Sequence, residues 1–210
     1  MRTIGIFGGT FDPPHLGHLI LAAEARAQLA LDHLLWVLTP DPPHKQGLAI
    51  APVEYRLAMI RLALTDAPEF ELSTVDLDRP GPHYAVDTVK IIAERNPGTK
   101  LVYLMGGDSL GDLPLWHQPR DFVAACQLIG VMRRPGDAID LPSLENKIPG
   151  LTDKVRFVEA PLLDISAHEI RARVKEERPF RYFLPTAVYT YIISHNLYQN
   201  LKDDQGPISE

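Results

Sequence analysis

Apolar segments of strand length alternate along this chain with segments of helical composition. Residues 3–7 (TIGIF) and 34–39 (LLWVLT) are short apolar runs, and the Leu- and Ala-rich segment 16–31 between them predicts a helix. Strands that are separated by helices form a mostly parallel sheet with helices on both faces. The pattern therefore predicts an α/β fold whose ligands bind beyond the carboxyl ends of the strands.

The same alternation continues along the rest of the chain. Helical spacing or apolar runs predict helices at 52–64, 84–96, 166–177 and 185–196, and strands at 70–77, 100–105, 126–132 and 155–160. A chain of 210 residues suits one well-packed core, so residues 1–198 are expected to form a single domain. The polar segment 199–210 is expected to be a disordered tail.

Composition limits the partners of the chain. With 21 basic against 27 acidic residues, a broad basic face for nucleic acid is not expected. No apolar run approaches membrane-spanning length, and the sequence starts with a predicted strand instead of a leader. The single cysteine, Cys126, excludes an internal disulfide. We expect a cytoplasmic protein with no membrane partner, and the possibility of a homo-oligomer stays open.

The loop after the first strand, GGTFDPPHLGH (8–18), contains more chemistry than a turn requires. Gly8 and Gly9 lack a Cβ atom, so a phosphate can approach the backbone closely. His15 and His18 are three residues apart and face the same side of the first helical turn. Cationic side chains there oppose the helix dipole unless an anion joins them. The loop predicts a phosphate site, whereas an isolated pair of this kind would suit two surface histidines.

This loop is neither a dinucleotide fingerprint nor a Walker A loop. His-Leu-Gly-His resembles the HxGH motif of the nucleotidyltransferase superfamily, and the full segment resembles the bacterial nicotinate-mononucleotide adenylyltransferases. The resemblance extends through almost the whole chain and includes the ending Leu184 to Tyr198. The family's further motifs follow in order as PPHK (42–45), GGDSL (106–110), LWHQP (115–119), RRPG (133–136) and ISAHEIR (165–171).

The resemblance implies a Rossmann-like nucleotidyltransferase fold and adenylyl transfer from ATP to nicotinate mononucleotide. An ionised phosphate attacks the α-phosphorus of ATP in line, so the enzyme must position two polyanions and stabilise charge instead of supplying a strong base. The resemblance also implies Mg²⁺ that is held mainly by the substrate phosphates, with no metal ligand from the protein. It makes His15, His18 and Arg171 the catalytic residues.

The resemblance assigns the ATP site to the glycine-rich loop and to three later motifs. Locally, Ser166 and Glu169 also predict a capping box, and Asp108 also suits a helix cap. His168 stands where the family usually has a small hydroxyl residue. The predicted ATP-binding residues are Gly8, Gly9, Thr10, Phe11, His15, His18, Gly106, Asp108, Arg134, Ile165, Ser166 and Arg171.

The mononucleotide site is assigned to three other loops. Trp116 is expected to stack on the pyridine ring, although a loop tryptophan also suits a packing anchor. Ala85 stands where the family commonly has threonine, which leaves only a backbone contact to the nicotinate carboxylate. The predicted mononucleotide-binding residues are His44, Lys45, Tyr84, Ala85, Trp116 and His117.

Other functions stay open at this point. Adenylyl transfer to nicotinamide mononucleotide or phosphopantetheine is a close alternative, and a non-catalytic nucleotide-binding module is a distant one. The joint presence of His15, His18 and Arg171 argues against the module, since ATP binding alone would not need all three. The missing glycine fingerprint argues against a dehydrogenase.

Overall fold

The structure is a computed structural model that describes residues 2–41, 50–132, 139–161 and 163–199. The strands are β1 (Thr3–Gly9), β2 (His33–Leu38), β3 (Phe70–Ser73), β4 (Lys100–Gly106), β5 (Leu128–Met132) and β6 (Val155–Val158). All neighbouring strands are parallel, in the order β3-β2-β1-β4-β5-β6. Strands β2 and β3 are added on one side of β1 and strands β4 to β6 on the other, so the order of addition reverses between β1 and β4. In such sheets the crevice at the reversal is the ligand site.

Helices connect the strands and confirm the predicted α/β fold. No helix in the described ranges is long and apolar enough to span a membrane. Single 3₁₀ turns occur at Leu113–Leu115 and Arg181–Phe183. The helices are α1 (Leu16–Gln28), α2 (Val53–Ala63), α3 (Ala85–Arg95), α4 (Gly107–Gly111), α5 (Pro119–Ala125), α6 (Leu141–Lys147), α7 (Leu151–Lys154), α8 (Ala167–Lys175) and α9 (Thr186–Ser194).

Apolar clusters cover both faces of the sheet. Successive residues of a strand point to opposite faces, so neighbouring residues of β1 belong to different clusters. Ile6 of β1 belongs to the cluster that includes residues of α3 and α5, whereas Phe7 belongs to the one that includes residues of α1 and α2. A third cluster joins Met59 of α2 to Ile170 of α8 and Val188 of α9. Helices α8 and α9 therefore pack on α2. This packing places α8 near the end of β1.

The structure corrects several predicted boundaries. Strand β3 ends at Ser73 instead of 77, because the backbone N–H groups of Leu77 and Asp78 donate to the carbonyl of Thr74 and form a turn. The helix predicted for 16–31 ends at Gln28. Helices α4 to α7 were not predicted because each is too short to show a helical repeat. Of the predicted tail, only Gln199 lies within the described residues.

Candidate active site

The two predicted catalytic histidines form one unit at the start of α1. His15 is the residue before the helix, and its ring stacks on that of His18 with centroids 3.7 Å apart. The backbone N–H of His15 donates to Nδ1 of His18 at 3.2 Å. Because a backbone N–H is always a donor, Nδ1 of His18 must carry a lone pair. In the neutral ring, the proton of His18 is therefore on Nε2.

Packing gives Gly8, which belongs to β1 and not to the predicted loop, and Gly17 of α1 a second reason to lack side chains. A Cβ atom on Gly8 would lie 2.9 Å from the hydroxyl oxygen of Tyr103. A Cβ atom on Gly17 would lie 3.0 Å from Nδ1 of His15 and 3.6 Å from the carbonyl oxygen of Ile165. Ile165, a predicted ATP residue, thus lies directly against the HxGH turn.

Arg171 is joined to the same turn through Asp12, which sequence reasoning did not assign to the site. The guanidinium Nη1 donates to the backbone carbonyl of Asp12 at 2.8 Å and lies 4.0 Å from Oδ2 of its carboxylate. Asp12 is only 2% exposed and also accepts from the hydroxyl of Tyr198 and the N–H of Ala51. The structure therefore brings His15, His18 and Arg171 into one region.

Arg56 of α2 holds the loops that follow β1 and β2, and sequence reasoning missed it as well. Its buried guanidinium donates to the carbonyl oxygens of Thr10, Thr39, Pro40 and Ala51 at 2.6–3.2 Å. Burial lowers the pKa of Arg56, and the nearby carboxylates offset part of this decrease. No local pattern announces this role, because the four carbonyls are 5 to 46 residues away in sequence.

The ISAHEIR motif begins α8, but its capping box is only half formed. The hydroxyl of Ser166 accepts from the N–H of Glu169 at 3.1 Å, as predicted. The carboxylate of Glu169 pairs with Arg173 at 2.8 Å and Arg178 at 3.3 Å instead of returning to Ser166. Arg173 of α8 and Arg178, which follows the helix, are both cations and outcompete a single backbone N–H. His168 is exposed at the start of α8.

A cavity of about 510 Å³ lies at the carboxyl ends of β1 and β4, where the strand order reverses. The glycine-rich loop and four of the predicted mononucleotide residues line it together. The predicted site residues in its wall are Gly8, Gly9, Thr10, Tyr84, Ala85, Gly106, Trp116 and His117.

Aromatic rings dominate one side of this cavity. The ring of Tyr84 stacks on that of His117, with centroids 4.1 Å apart and planes inclined by 21°. Trp116 is half-buried; its ring packs edge-on against Tyr103 at 6.2 Å and also contacts Phe122 at 5.3 Å. The indole thus has a packing role and also borders the cavity.

The N-terminus of α3 meets the cavity beside these rings and is held by a buried ion pair. Arg79 donates to Oδ1 of Asp76 at 3.0 Å and to the carbonyl of Tyr84 at 3.3 Å. The hydroxyl of Thr88 also donates to Asp76, at 2.7 Å. Ala85 is the first residue of α3 and lines the cavity. The first-turn N–H groups of a helix favour an anion, so this corner suits a carboxylate.

The remaining predicted residues divide into three groups. Asp108 is exposed and borders a second cavity of about 270 Å³ between α4 and α6. Phe11 is buried and stacks on Trp36 at 4.9 Å, below the HxGH turn. The other predicted residues, His44, Lys45 and Arg134, lie outside the described ranges.

No group of three or more His, Cys, Asp or Glu side chains within the described ranges could hold a metal ion.

Comparison with known proteins adds independent evidence. The family model described as cytidylyltransferase-like matches residues 6–173. The chain is 45% identical to the probable nicotinate-nucleotide adenylyltransferase of Thermomicrobium roseum, over 96% of this chain and 94% of that one. It is also 45% identical to the protein of that name from Roseiflexus sp. (strain RS-1), over 93% and 98% of the two chains.

A solved structure shares the fold. The nicotinic acid mononucleotide adenylyltransferase of Plasmodium falciparum complexed with NaAD superposes with a TM-score of 0.77, over 94% of this chain and 98% of that one. At 20% identity this likeness concerns the fold alone.

Proposed function

Because this chain belongs to the cytidylyltransferase-like family and, within it, to the nicotinate-nucleotide adenylyltransferases, we propose that the cleft between β1 and β4 carries their reaction. The chain transfers the adenylyl group of ATP to nicotinate mononucleotide, which yields deamido-NAD and pyrophosphate. One observation carries the assignment of residues. The hydrogen bond from Arg171 to the carbonyl of Asp12 joins the two phosphate-binding motifs beside a cavity of about 510 Å³.

At the phosphates, the chain stabilises charge and needs no base. The attacking phosphate oxygen is already ionised near neutral pH, so the barrier arises from bringing two anions together and from charge on the leaving pyrophosphate. His18 donates from Nε2 because its Nδ1 accepts from His15. Arg171 supplies a permanent positive charge to the same region. Donors that are fixed before the reaction lower the barrier without reorganisation.

At the other substrate, the cavity offers a ring surface and an anion corner. Trp116 stacks on the pyridine ring, and the N-terminus of α3 at Ala85 holds the nicotinate carboxylate through backbone N–H groups. Ala85 has no hydroxyl, so selectivity for nicotinate over nicotinamide depends on the position of that backbone. The Asp76–Arg79 ion pair supports this position by holding the carbonyl of Tyr84.

Mg²⁺ accompanies ATP in this proposal. Its preferred ligands are oxygens, which the ATP phosphates supply in excess. The carboxylate of Asp12, the acidic group closest in sequence to the histidines, already accepts from Tyr198 and Ala51 and is not assigned to the metal. Use of ATP supports a cytoplasmic location, and we assign the activity to one domain of residues 1–198.

Pyrophosphate release by the purified protein with ATP and Mg²⁺ tests the proposal. Parallel reactions contain nicotinate mononucleotide, nicotinamide mononucleotide or phosphopantetheine. We expect the nicotinate compound to be preferred strongly. Equal use of nicotinamide mononucleotide would contradict the anion corner at Ala85, and no release with any acceptor would overturn the assignment of substrate.

A further inference from the structure

A buried hydrogen bond joins the segment after α9 to the HxGH turn. The hydroxyl of Tyr198 donates to Oδ1 of Asp12 at 2.8 Å, across 186 residues of sequence. Tyr198 is 5% exposed and Asp12 is 2% exposed, so water does not compete for the contact. The sulfur of Met59 lies 3.8 Å from the same hydroxyl, but a thioether is a weak acceptor. The carboxylate is therefore the main partner of Tyr198.

The donor role of Tyr198 does not change near neutral pH. Burial and the carboxylate of Asp12 hold the pKa of Tyr198 well above its ordinary value, so the phenol keeps its proton. Hydrogen bonds between a neutral donor and a buried carboxylate are stronger than those between neutral groups. The rotation of the Asp12 side chain is fixed from both sides, because the N–H of Ala51 donates to its other oxygen at 3.2 Å.

Asp12 in turn holds Arg171. Nη1 of Arg171 donates to the backbone carbonyl of Asp12 and lies 4.0 Å from the carboxylate oxygen that Ala51 also contacts. A turn of Asp12 away from this orientation would weaken the contact between the charges. The arginine side chain is 16% exposed, so it lies at the edge of the site where a phosphate can reach it.

We propose that Tyr198 is a positioning residue, which acts through Asp12 to hold Arg171 where the ATP phosphates bind. The inference rests on the proposed function for the role of Arg171. It assigns part of the catalytic geometry to a residue that touches neither substrate. Misplacement of a catalytic group by about 1 Å can lower the rate about 100-fold.

Tyr198→Phe removes only the hydroxyl and keeps the buried ring. We expect kcat to fall about 10- to 100-fold, which corresponds to the loss of one hydrogen bond to a charged group. The KM for ATP should rise, and the KM for nicotinate mononucleotide should change less than twofold. A partial loss of fold would lower the apparent kcat and leave both KM values unchanged, so a rise in the KM for ATP alone identifies positioning. Tyr191→Phe, on α9, is the matched control and should resemble the wild type.

A double-mutant cycle with Arg171→Lys identifies the route of the effect. If Tyr198 acts through Arg171, Tyr198→Phe should lower kcat much less in the Arg171→Lys background than in the wild type. Equal effects in both backgrounds, or wild-type kinetics of Tyr198→Phe, would overturn the inference.

Calorimetric binding of a non-hydrolysable ATP analogue separates the inference from the proposed function. If the wild-type protein binds the analogue but transfers nothing to nicotinate mononucleotide, the proposed function fails. The inference then stands only if Tyr198→Phe weakens that binding relative to Tyr191→Phe.

Discussion

The backbone N–H of His15 donates to Nδ1 of His18, which fixes the proton of the neutral His18 ring on Nε2. His18→Ala should therefore lower kcat by about 10²–10³-fold, the range for loss of one transition-state donor. His18→Gln places an amide near the position of Nε2, whereas His18→Asn places one near Nδ1. Steady-state kinetics should show that glutamine retains more activity than asparagine.

His195, which is exposed at the end of α9, provides the control for this series. His195→Ala should leave kcat unchanged, and unaltered circular dichroism of each variant would exclude a loss of fold. If asparagine rescued activity better than glutamine, the donor would have to be Nδ1, and the proposed tautomer would be wrong.

Trp116 should determine affinity for the mononucleotide and not for ATP. Stacking of a ring on an aromatic side chain contributes about 1–3 kcal/mol, so Trp116→Ala should raise the KM for nicotinate mononucleotide by roughly 5- to 150-fold. The chain has two tryptophans, and Trp36 is fully buried, so fluorescence quenching by the mononucleotide should come from Trp116. Quenching that persists in Trp116→Phe would contradict the stacking role.

Arg79 should control the choice between nicotinate and nicotinamide. Its guanidinium holds the carbonyl of Tyr84 at the start of α3, and lysine cannot donate to both Asp76 and Tyr84 in the same planar geometry. Arg79→Lys should lower the ratio of kcat/KM for the two mononucleotides about tenfold, the effect of one charged hydrogen bond. Arg95→Lys, an exposed arginine of α3, is the control. A variant with lower activity but an unchanged ratio would indicate a structural role only.

Alkaline pH should destabilise the fold through its buried acids. Burial raises the pKa of Cys126 from 9.0 to about 12, and it also raises the pKa values of Tyr103 and Tyr198. The unfolded chain would ionise first, so stability from Cys126 is complete below pH 9 and is lost between pH 9 and about 12. Urea unfolding across this range should show the decrease, and Cys126→Ala should make it less steep. A free energy of unfolding that does not change between pH 9 and about 12 would contradict the raised pKa of Cys126.

Local patterns predicted the parts of the molecule that local sequence determines. The apolar run at 3–7 and the glycines after it identified β1 and the loop at its end, because strand burial and backbone approach leave direct marks on composition. Even the spacing of His15 and His18 corresponds to their stacked rings. Helices of four to seven residues were missed, since they end before a repeat becomes visible.

The supports of the site could not be predicted in the same way. Arg56 donates to four backbone carbonyls, and any residue type offers such an acceptor, so its partners leave no mark in the sequence. Asp12 is part of the quoted motif, but its partner Tyr198 is identifiable only once α9 is packed on α2. Glu169 was assigned to the wrong partner because the pattern does not show the competing arginines.

The contact between Asp12 and Tyr198 also has a consequence for synthesis on the ribosome. Asp12 is synthesised early, yet three of its contacts come from Ala51, Arg171 and Tyr198. Chains are made at about 5–20 residues per second, so the separation of 186 positions between the two partners corresponds to roughly 10–40 seconds. During that interval a nascent chain can form much of the sheet while Asp12 lacks its contact with Tyr198. We therefore expect activity only once nearly the whole domain has left the exit tunnel.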